Sequence, residues 1–308
     1  MAESLEELRP RGFAIAYRML GSVGEAEDVV QEALLRVHAA REKGELIESP
    51  RAYLSTVVTR LAIDELRSAR ARRERYVGEW LPEPLLTSED ADPAHQAEVA
   101  DSLSLALLVL LESLSPAQRA VFLLRDVFDY PYERIGEIVG RTEVAVRQLA
   151  SRARRHVEEQ RPRFEASRAQ REQLADRFFA AVGAGDLGEL ESLLASEVVL
   201  HGDGGGKAPA LARPMRGRNR VAQALRAWSR AAERAGGTFR RTEVNGQPGA
   251  IALDADGRLV SVIVVDVAGG QIQTVRSLVN PDKLDHLGLP VANLGDLLRS
   301  ASQHTEQT

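Results

Sequence analysis

Apolar positions recur at helical spacing through the first seventy or so residues. Leu5, Leu8, Phe13, Ala16, Tyr17 and Leu20 form one stripe, which Gly21-Ser22 breaks. A second helix starts near Gly24. Ala26, Val29, Val30, Ala33, Leu34 and Val37 line its inner face, and Glu25, Asp28, Gln31, Glu32 and Arg36 its outer one. Glu42 to Pro50 is polar and reads as a loop. Ser49-Pro50 then supplies a helix start, with proline at the first helical position. The helix from Arg51 to about Arg73 is expected to bury Tyr53, Leu54, Val57, Val58, Leu61, Ile63 and Leu66.

Trp80-Leu81-Pro82-Glu83-Pro84-Leu85-Leu86 cannot be helical throughout, because it holds two prolines. Free linkers are normally polar, so this apolar one is expected to pack on a surface. Thr87 to Pro93 is acidic and polar. The pattern predicts a long apolar helix over Val99–Leu111. Another starts at Ser115-Pro116, with Ser115 as N-cap and Ala120 to Val127 apolar behind it. Tyr132 to Val139 reads as a short helix, Gly140-Arg141-Thr142 as a tight turn, and Glu143 to Arg155 as a helix capped by Thr142.

Beyond Arg168 the period changes. Leu174–Val182, Leu187–Leu194 and Val221–Ala235, which includes Trp228, read as helices. Val198–His201, Ile251–Leu253, Leu259–Val265 and Ile272–Val275 read as strands, with Asp254-Ala255-Asp256-Gly257 as a hairpin turn. Leu294–Ala301 is one possible helix in a polar tail. The chain thus divides into a helical module at 1–76, a linker at 77–96, a second helical module at 97–164, an α+β domain at 168–284 and a tail at 285–308.

Composition narrows the chemistry. Cysteine is absent, which excludes disulfides, thiol nucleophiles and thiolate metal sites and suits a reducing cytoplasm. The acidic N-terminus is no secretory signal, and no run of eighteen apolar residues predicts a membrane span. No cofactor or metal is expected. The net charge of −5 argues against indiscriminate nucleic-acid binding, but it is unevenly spread. Arg67, Arg70, Arg72, Arg73 and Arg75 face only Glu74, and Arg141 to Arg163 holds seven arginines against three glutamates. Patches outweigh totals because salt screens charge beyond about 10 Å. A solvated helix face explains either run alone equally well.

Tyr132 to Val157 has the make-up of a helix-turn-helix. Its second helix would enter the major groove, where Arg147 and Gln148 can read guanine and adenine. Ser151 and Arg152 continue that face, while Arg154 and Arg155 suit phosphates.

Gly24-Glu25-Ala26-Glu27-Asp28-Val29-Val30-Gln31-Glu32-Ala33-Leu34-Leu35-Arg36-Val37 resembles region two of bacterial sigma factors, and Leu61-Ala62-Ile63-Asp64 fits the helix that follows it there. Leu114-Ser115-Pro116-Ala117-Gln118-Arg119 with the helix-turn-helix resembles region four. Regions one and three have no counterpart, which points to the extracytoplasmic-function class. Val57-Val58-Thr59-Arg60-Leu61, the Trp80–Leu85 linker, Asp203-Gly204-Gly205-Gly206-Lys207 and Asn280-Pro281-Asp282-Lys283-Leu284 resemble the subgroup with a SnoaL-like C-terminal domain, the sigma factor J type.

The resemblance implies two all-α sigma modules plus a cone-shaped α+β domain. It implies docking to the clamp and flap regions of RNA polymerase core, with Glu25, Asp28, Gln31, Glu32 and Leu35 at the clamp. It implies minus-ten contacts from Tyr53, Arg60, Arg67 and Arg70, and minus-thirty-five contacts from Arg147, Gln148, Ser151, Arg152, Arg154 and Arg155. Many members carry Arg-Asn where Thr59-Arg60 stand, so the promoter is expected to differ from the usual one. The subgroup generally works without a separate anti-sigma protein. Trp80, Leu81, Pro82, Asp203 to Lys207 and Asn280 to Leu284 are accordingly expected to form a regulatory contact within the chain. Two other readings stay open. One is an enzyme or small-molecule sensor of the SnoaL and ketosteroid-isomerase kind on a DNA-binding module, with His201, Asp203 and Lys207 as its chemistry. The other is an ordinary helix-turn-helix repressor. Any ligand of the C-terminal domain is unidentified.

Overall fold

The computed structural model describes residues 4–87, 103–160 and 167–295. The chain forms two compact units, one of residues 1–75 and 107–161, the other of 76–106 and 162–308.

The first unit is helical. Helices α1 (Leu5–Leu20), α2 (Val23–Glu42) and α3 (Pro50–Arg73) pack on one another. Ser4 opens α1 with a capping box, and Gly21 ends it in the left-handed conformation. Helix α3 buries Leu54, Val58, Ile63 and Leu66 as the spacing predicts, and Ala62 besides. Tyr53, Val57 and Leu61 are only half-buried, and Ser55 and Thr59 take places in the core instead.

Helix α4 (Leu105–Leu111) covers the C-terminal half of the long apolar helix that the pattern predicts. Val99–Ser102 lies outside the described residues, and Ser104 is not helical. Helix α5 (Pro116–Phe122) has the expected Ser115 cap and runs into a π-helical turn at Leu123–Val127. Helices α6 (Tyr132–Val139) and α7 (Glu143–Gln160) form the helix-turn-helix. Val146 and Ala150 of α7 pack on Val121, Leu124, Ile135 and Ile138.

The second unit is α+β. Helices α8 (Arg168–Ala184), α9 (Leu187–Leu193) and α10 (Arg218–Arg234) accompany a seven-stranded sheet. Its strands are β1 (Leu86–Thr87), β2 (Leu194–Asp203), β3 (Met215–Arg216), β4 (Thr238–Val244), β5 (Gln247–Leu253), β6 (Leu259–Ala268) and β7 (Gln271–Leu278), ordered β1-β4-β5-β6-β7-β2-β3. All pairs are antiparallel except β2 with β7.

Residues alternate across a strand. Leu200, Ala250, Ile263 and Val275 share a core with Phe178, Val221 and Leu225 of the helices. Their neighbours Ile251, Val262, Val264 and Leu278 face the other way, yet they are fully buried. Strand β6 is accordingly an unbroken apolar run, the pattern of a strand covered on both faces. Residues 81–87 and Leu105 are bonded to this sheet. Leu81 hydrogen-bonds Asp203, Leu85 exchanges bonds with Asn245, β1 pairs with β4, and Leu105 N–H donates to Gln247. The Leu294–Ala301 expectation falls mostly outside the described residues.

Candidate functional site

Helix α2 turns its core stripe inward and leaves Asp28, Gln31, Glu32 and Leu35 exposed at i, i+3, i+4 and i+7. Leu35 is 57% exposed, and Glu32 is paired with Arg36 one turn on. Glu25 continues the stripe at its N-terminal end, half-buried. Acidic groups around an accessible leucine suit a basic partner with an apolar seat and repel a phosphate backbone.

In the helix-turn-helix, Gly140 ends α6 in the left-handed conformation and the Thr142 hydroxyl caps α7 by accepting from Ala145 N–H. Gly136 sets the approach of the two helices, since a Cβ there would lie 2.7 Å from the Arg141 carbonyl oxygen. Gly136→Ala is therefore expected to cost about 1–3 kcal/mol through overpacking. A lowered melting midpoint of the full chain with unchanged helix content checks this.

Val144, Gln148, Ser151, Arg152 and Arg155 form the exposed stripe of α7. Arg147 is exposed beside it, paired with Glu143 and stacked 4.5 Å over the Tyr132 ring. Arg154 is tied to Asp126 at 2.6 Å, and that bond holds its guanidinium above its ordinary pKa. It ties the second helix of the pair to the turn before it, whereas Arg152 and Arg155 are exposed.

The two helical modules pack together through arginines, of which Arg119 is deeply buried. Arg119, 2% exposed, donates to the Met19 carbonyl and to Glu112, and Glu112 also binds Arg73 at the end of α3. Desolvation lowers the Arg119 pKa, with Glu112 opposing that shift. Arg11 donates to the Tyr130 hydroxyl. Arg60 donates to the carbonyls of Glu137 and Ile138, where a cation meets the negative end of α6. Arg60, an exposed residue, is thus bonded to the helix-turn-helix in this structure. Tyr53 lies half-buried on α3, and Arg67 is exposed and paired with Asp64. The Arg70 side chain lies outside the described residues.

In the second unit, Asp203 and Lys283 make a buried ion pair at 2.8 Å. The Asp203 carboxylate also accepts from Leu81 N–H and the Tyr76 hydroxyl, and Lys283 donates to the Leu81 carbonyl while lying 4.2 Å from the Trp80 ring centroid. Asn280 caps the turn at Pro281–Lys283 and donates to the Tyr76 hydroxyl. A Cβ on Gly204 would meet the Ala208 carbonyl at 2.2 Å, and one on Gly205 would meet Asn280 at 2.3 Å. Only glycine permits this turn. Gly206 sits against Val77, Lys207 pairs with Asp282 at the rim, and Leu81, Pro82 and Leu284 are buried. These residues clasp the linker.

His201 bonds Glu79 on the same side. His201 and Asp203 thus point at the linker, on the opposite face of β2 from the helix-lined core, and neither serves a cavity there. The reading of His201, Asp203 and Lys207 as a catalytic set has no geometric support.

Burial and the bond to Asp203 push the Tyr76 hydroxyl well above the usual tyrosine range. The neutral form is the one favoured in the fold, so its contribution is complete below about pH 10 and declines as pH rises further. Trp80 emission is expected to stay flat from about pH 6 to 9 and to shift only above about pH 10. Below about pH 10 a Tyr76→Phe chain should show a clasp weakened by about 1.5–3 kcal/mol, with the difference narrowing as pH rises further.

A second set of buried polar groups was not visible in the sequence. Gln247 accepts from Leu105 N–H and donates to Asp266, which also binds Arg276, and Asn245 donates to the Leu103 carbonyl. The start of α4 is thus held by the same sheet.

A helix-turn-helix beside a helical module with an acidic outer stripe defines a transcription factor with two separate recognition surfaces, and comparison with known proteins names the kind. Residues 5–72 match sigma-70 region 2, 104–157 match sigma-70 region 4, and 175–278 match the SnoaL-like domain. The chain is 39% identical over 287 residues to ECF RNA polymerase sigma factor SigJ of Mycobacterium tuberculosis, covering 90% of this chain and 91% of that one. It is 36% identical to probable ECF RNA polymerase sigma factor SigI of the same organism, over 89% and 91% of the two chains. The crystal structure of M. tuberculosis SigJ superposes with a TM-score of 0.73 at 36% identity, covering 92% of this chain and 98% of that one. The chain belongs to the extracytoplasmic-function RNA polymerase sigma factors, proteins that direct transcription initiation, and carries a SnoaL-like domain at its C-terminal side.

Proposed function

We propose that this sigma factor docks on core RNA polymerase through Glu25, Asp28, Gln31, Glu32 and Leu35, and that the exposed stripe of α7 reads the minus-thirty-five element. Arg147 and Gln148 reach base edges, while Ser151, Arg152 and Arg155 meet the backbone. The observation that carries the reading is the accessible leucine set among acids on α2, because a repressor has no use for such a surface. Leu35→Arg in the full chain is expected to weaken binding to purified core polymerase at least tenfold without lowering the melting midpoint. No complex between the unaltered chain and core at micromolar concentration would sink the proposal.

Promoter elements at minus ten and minus thirty-five lie about 25 base pairs apart, roughly 85 Å at 3.4 Å per base pair. Helical modules in side-chain contact cannot reach both. The packed form, with Arg60 held by α6, is therefore the silent one, and reading a promoter requires the modules to part. The SnoaL-like domain governs that step by gripping the linker through Trp80 to Pro82, Asp203 to Lys207 and Asn280 to Leu284. It acts in place of a separate anti-sigma protein and is not an enzyme. The protein works in the cytoplasm and not on a membrane; among the described residues no helix is long and apolar enough to cross one. Run-off transcription with core polymerase tests the control: clasp substitutions that leave output unchanged on every promoter of a library would overturn it.

A further inference from the structure

Helix α10 fills its contact with the sheet unevenly. Its first half buries Val221, Ala222 and Leu225, but in its second half the lining positions are Ala231, Ala232 and Ala235. The missing side-chain volume leaves a cavity of about 320 Å³ between the helix and the ends of β5, β6 and β7, with Trp228 at its side, 42% exposed. The size falls within the range of small-molecule sites. A chain selected only for packing would close such a void with one larger residue, because apolar cavities cost stability.

The walls specify the occupant. Phe239, Ile263, Val279 and Leu211 present apolar surface. The strand phase puts Ser261 and Ser277 on the helix side with Ile263 and Val275, so two hydroxyls are offered among the apolar groups. Asp254 is the one charged residue among the lining residues, and its carboxylate is already used by the backbone N–H groups of Asp256 and Arg258 and by the Arg258 guanidinium. Among the described residues no cation lines the cavity to receive an anion, and no free carboxylate to receive a base. We propose that this cavity is a binding site for a small neutral molecule, mostly apolar, with at most one or two hydrogen-bonding groups.

The site adjoins the clasp, and here the inference rests on the regulatory reading above. Pro209 to Leu211 of the wall follow directly on the Gly204–Lys207 turn. Leu294 of the wall follows Asn293, whose side chain donates to the Lys207 carbonyl. Residues 290–292 are stitched to the start of β6 by Leu259 and Ala292. An occupant therefore touches both segments that flank the clasp turn.

The test uses the full chain and the neutral dye N-phenyl-1-naphthylamine, with the anionic 8-anilino-1-naphthalenesulfonate beside it. Saturable binding of one neutral dye per chain is expected, with the anionic dye at least tenfold weaker. Ala232→Leu and Ala252→Leu, on opposite walls, should each weaken the neutral dye roughly tenfold or more by occupying its space, with melting midpoints unchanged or raised. Absence of saturable binding, equal binding of both dyes, or binding indifferent to both substitutions would overturn the site. Those outcomes leave the regulatory reading standing. That reading falls instead if clasp variants do not alter transcription while dye binding persists.

Discussion

Asp203→Ala is expected to release the linker. Lys283 is 5% exposed, and without Asp203 its ammonium loses the carboxylate it pairs with while keeping the bond to the Leu81 carbonyl. Removing one partner of a buried ion pair costs about 3–5 kcal/mol, which raises the fraction of released linker more than about a hundredfold. The Tyr76 hydroxyl and Leu81 N–H lose their acceptor in the same change. Trp80 emission should move to the red, and protease cleavage between 76 and 87 should accelerate. A double change, Asp203→Leu with Lys283→Met, removes both charges and should recover much of the loss, because the largest penalty is the stranded charge. Unchanged cleavage in the single variant would show that the pair does not hold the linker.

The second large effect is expected at Glu112. Its carboxylate bridges Arg73 and Arg119, and Arg119 is the more deeply buried of the two. Glu112→Ala leaves that guanidinium with the Met19 carbonyl alone among its bonded oxygens. A loss of about 3–5 kcal/mol follows, seen as a fall of roughly 10 °C or more in the melting midpoint of the helical unit. Adding Arg119→Met should restore part of it. A fall of less than about 2 °C would show that the modules are held by their apolar contacts instead.

Periodicity made the helices legible because each buries a single stripe. The recognition helix was legible from its caps, Gly140 and Thr142, whose conformational and hydrogen-bonding roles are local. The outer stripe of α2 could be read directly, since nothing in the fold covers it. What escaped were polar residues buried by distant segments. Arg119 looks like a surface residue of α5 and becomes the centre of an ion-paired node. Arg276 and Asp266 interrupt apolar strands and look solvent-facing, yet they meet each other and Gln247. Strand β4 escaped because Arg240 and Arg241 break its alternation. Arg241 lies over the Phe179 ring and reaches Glu172 and Asp176 of α8. The break before α4 at Ser104 escaped because the groups fixing Leu103 and Leu105, on Asn245 and Gln247, lie some 140 residues away.

The double-sided burial of β6 bears on how this protein can be divided. Gene fusions and truncations are usually cut where one sequence family ends and the next begins. Here that cut would strip Val262, Val264, Leu278 and Ile251 of their cover and expose a greasy sheet face to solvent. A transplantable C-terminal module must carry residues 76–106 with it, although all but the last three lie between the two sigma regions. Grafting the domain onto another sigma factor therefore means grafting that factor's connector too, and inheritance of the two parts is expected to be joint.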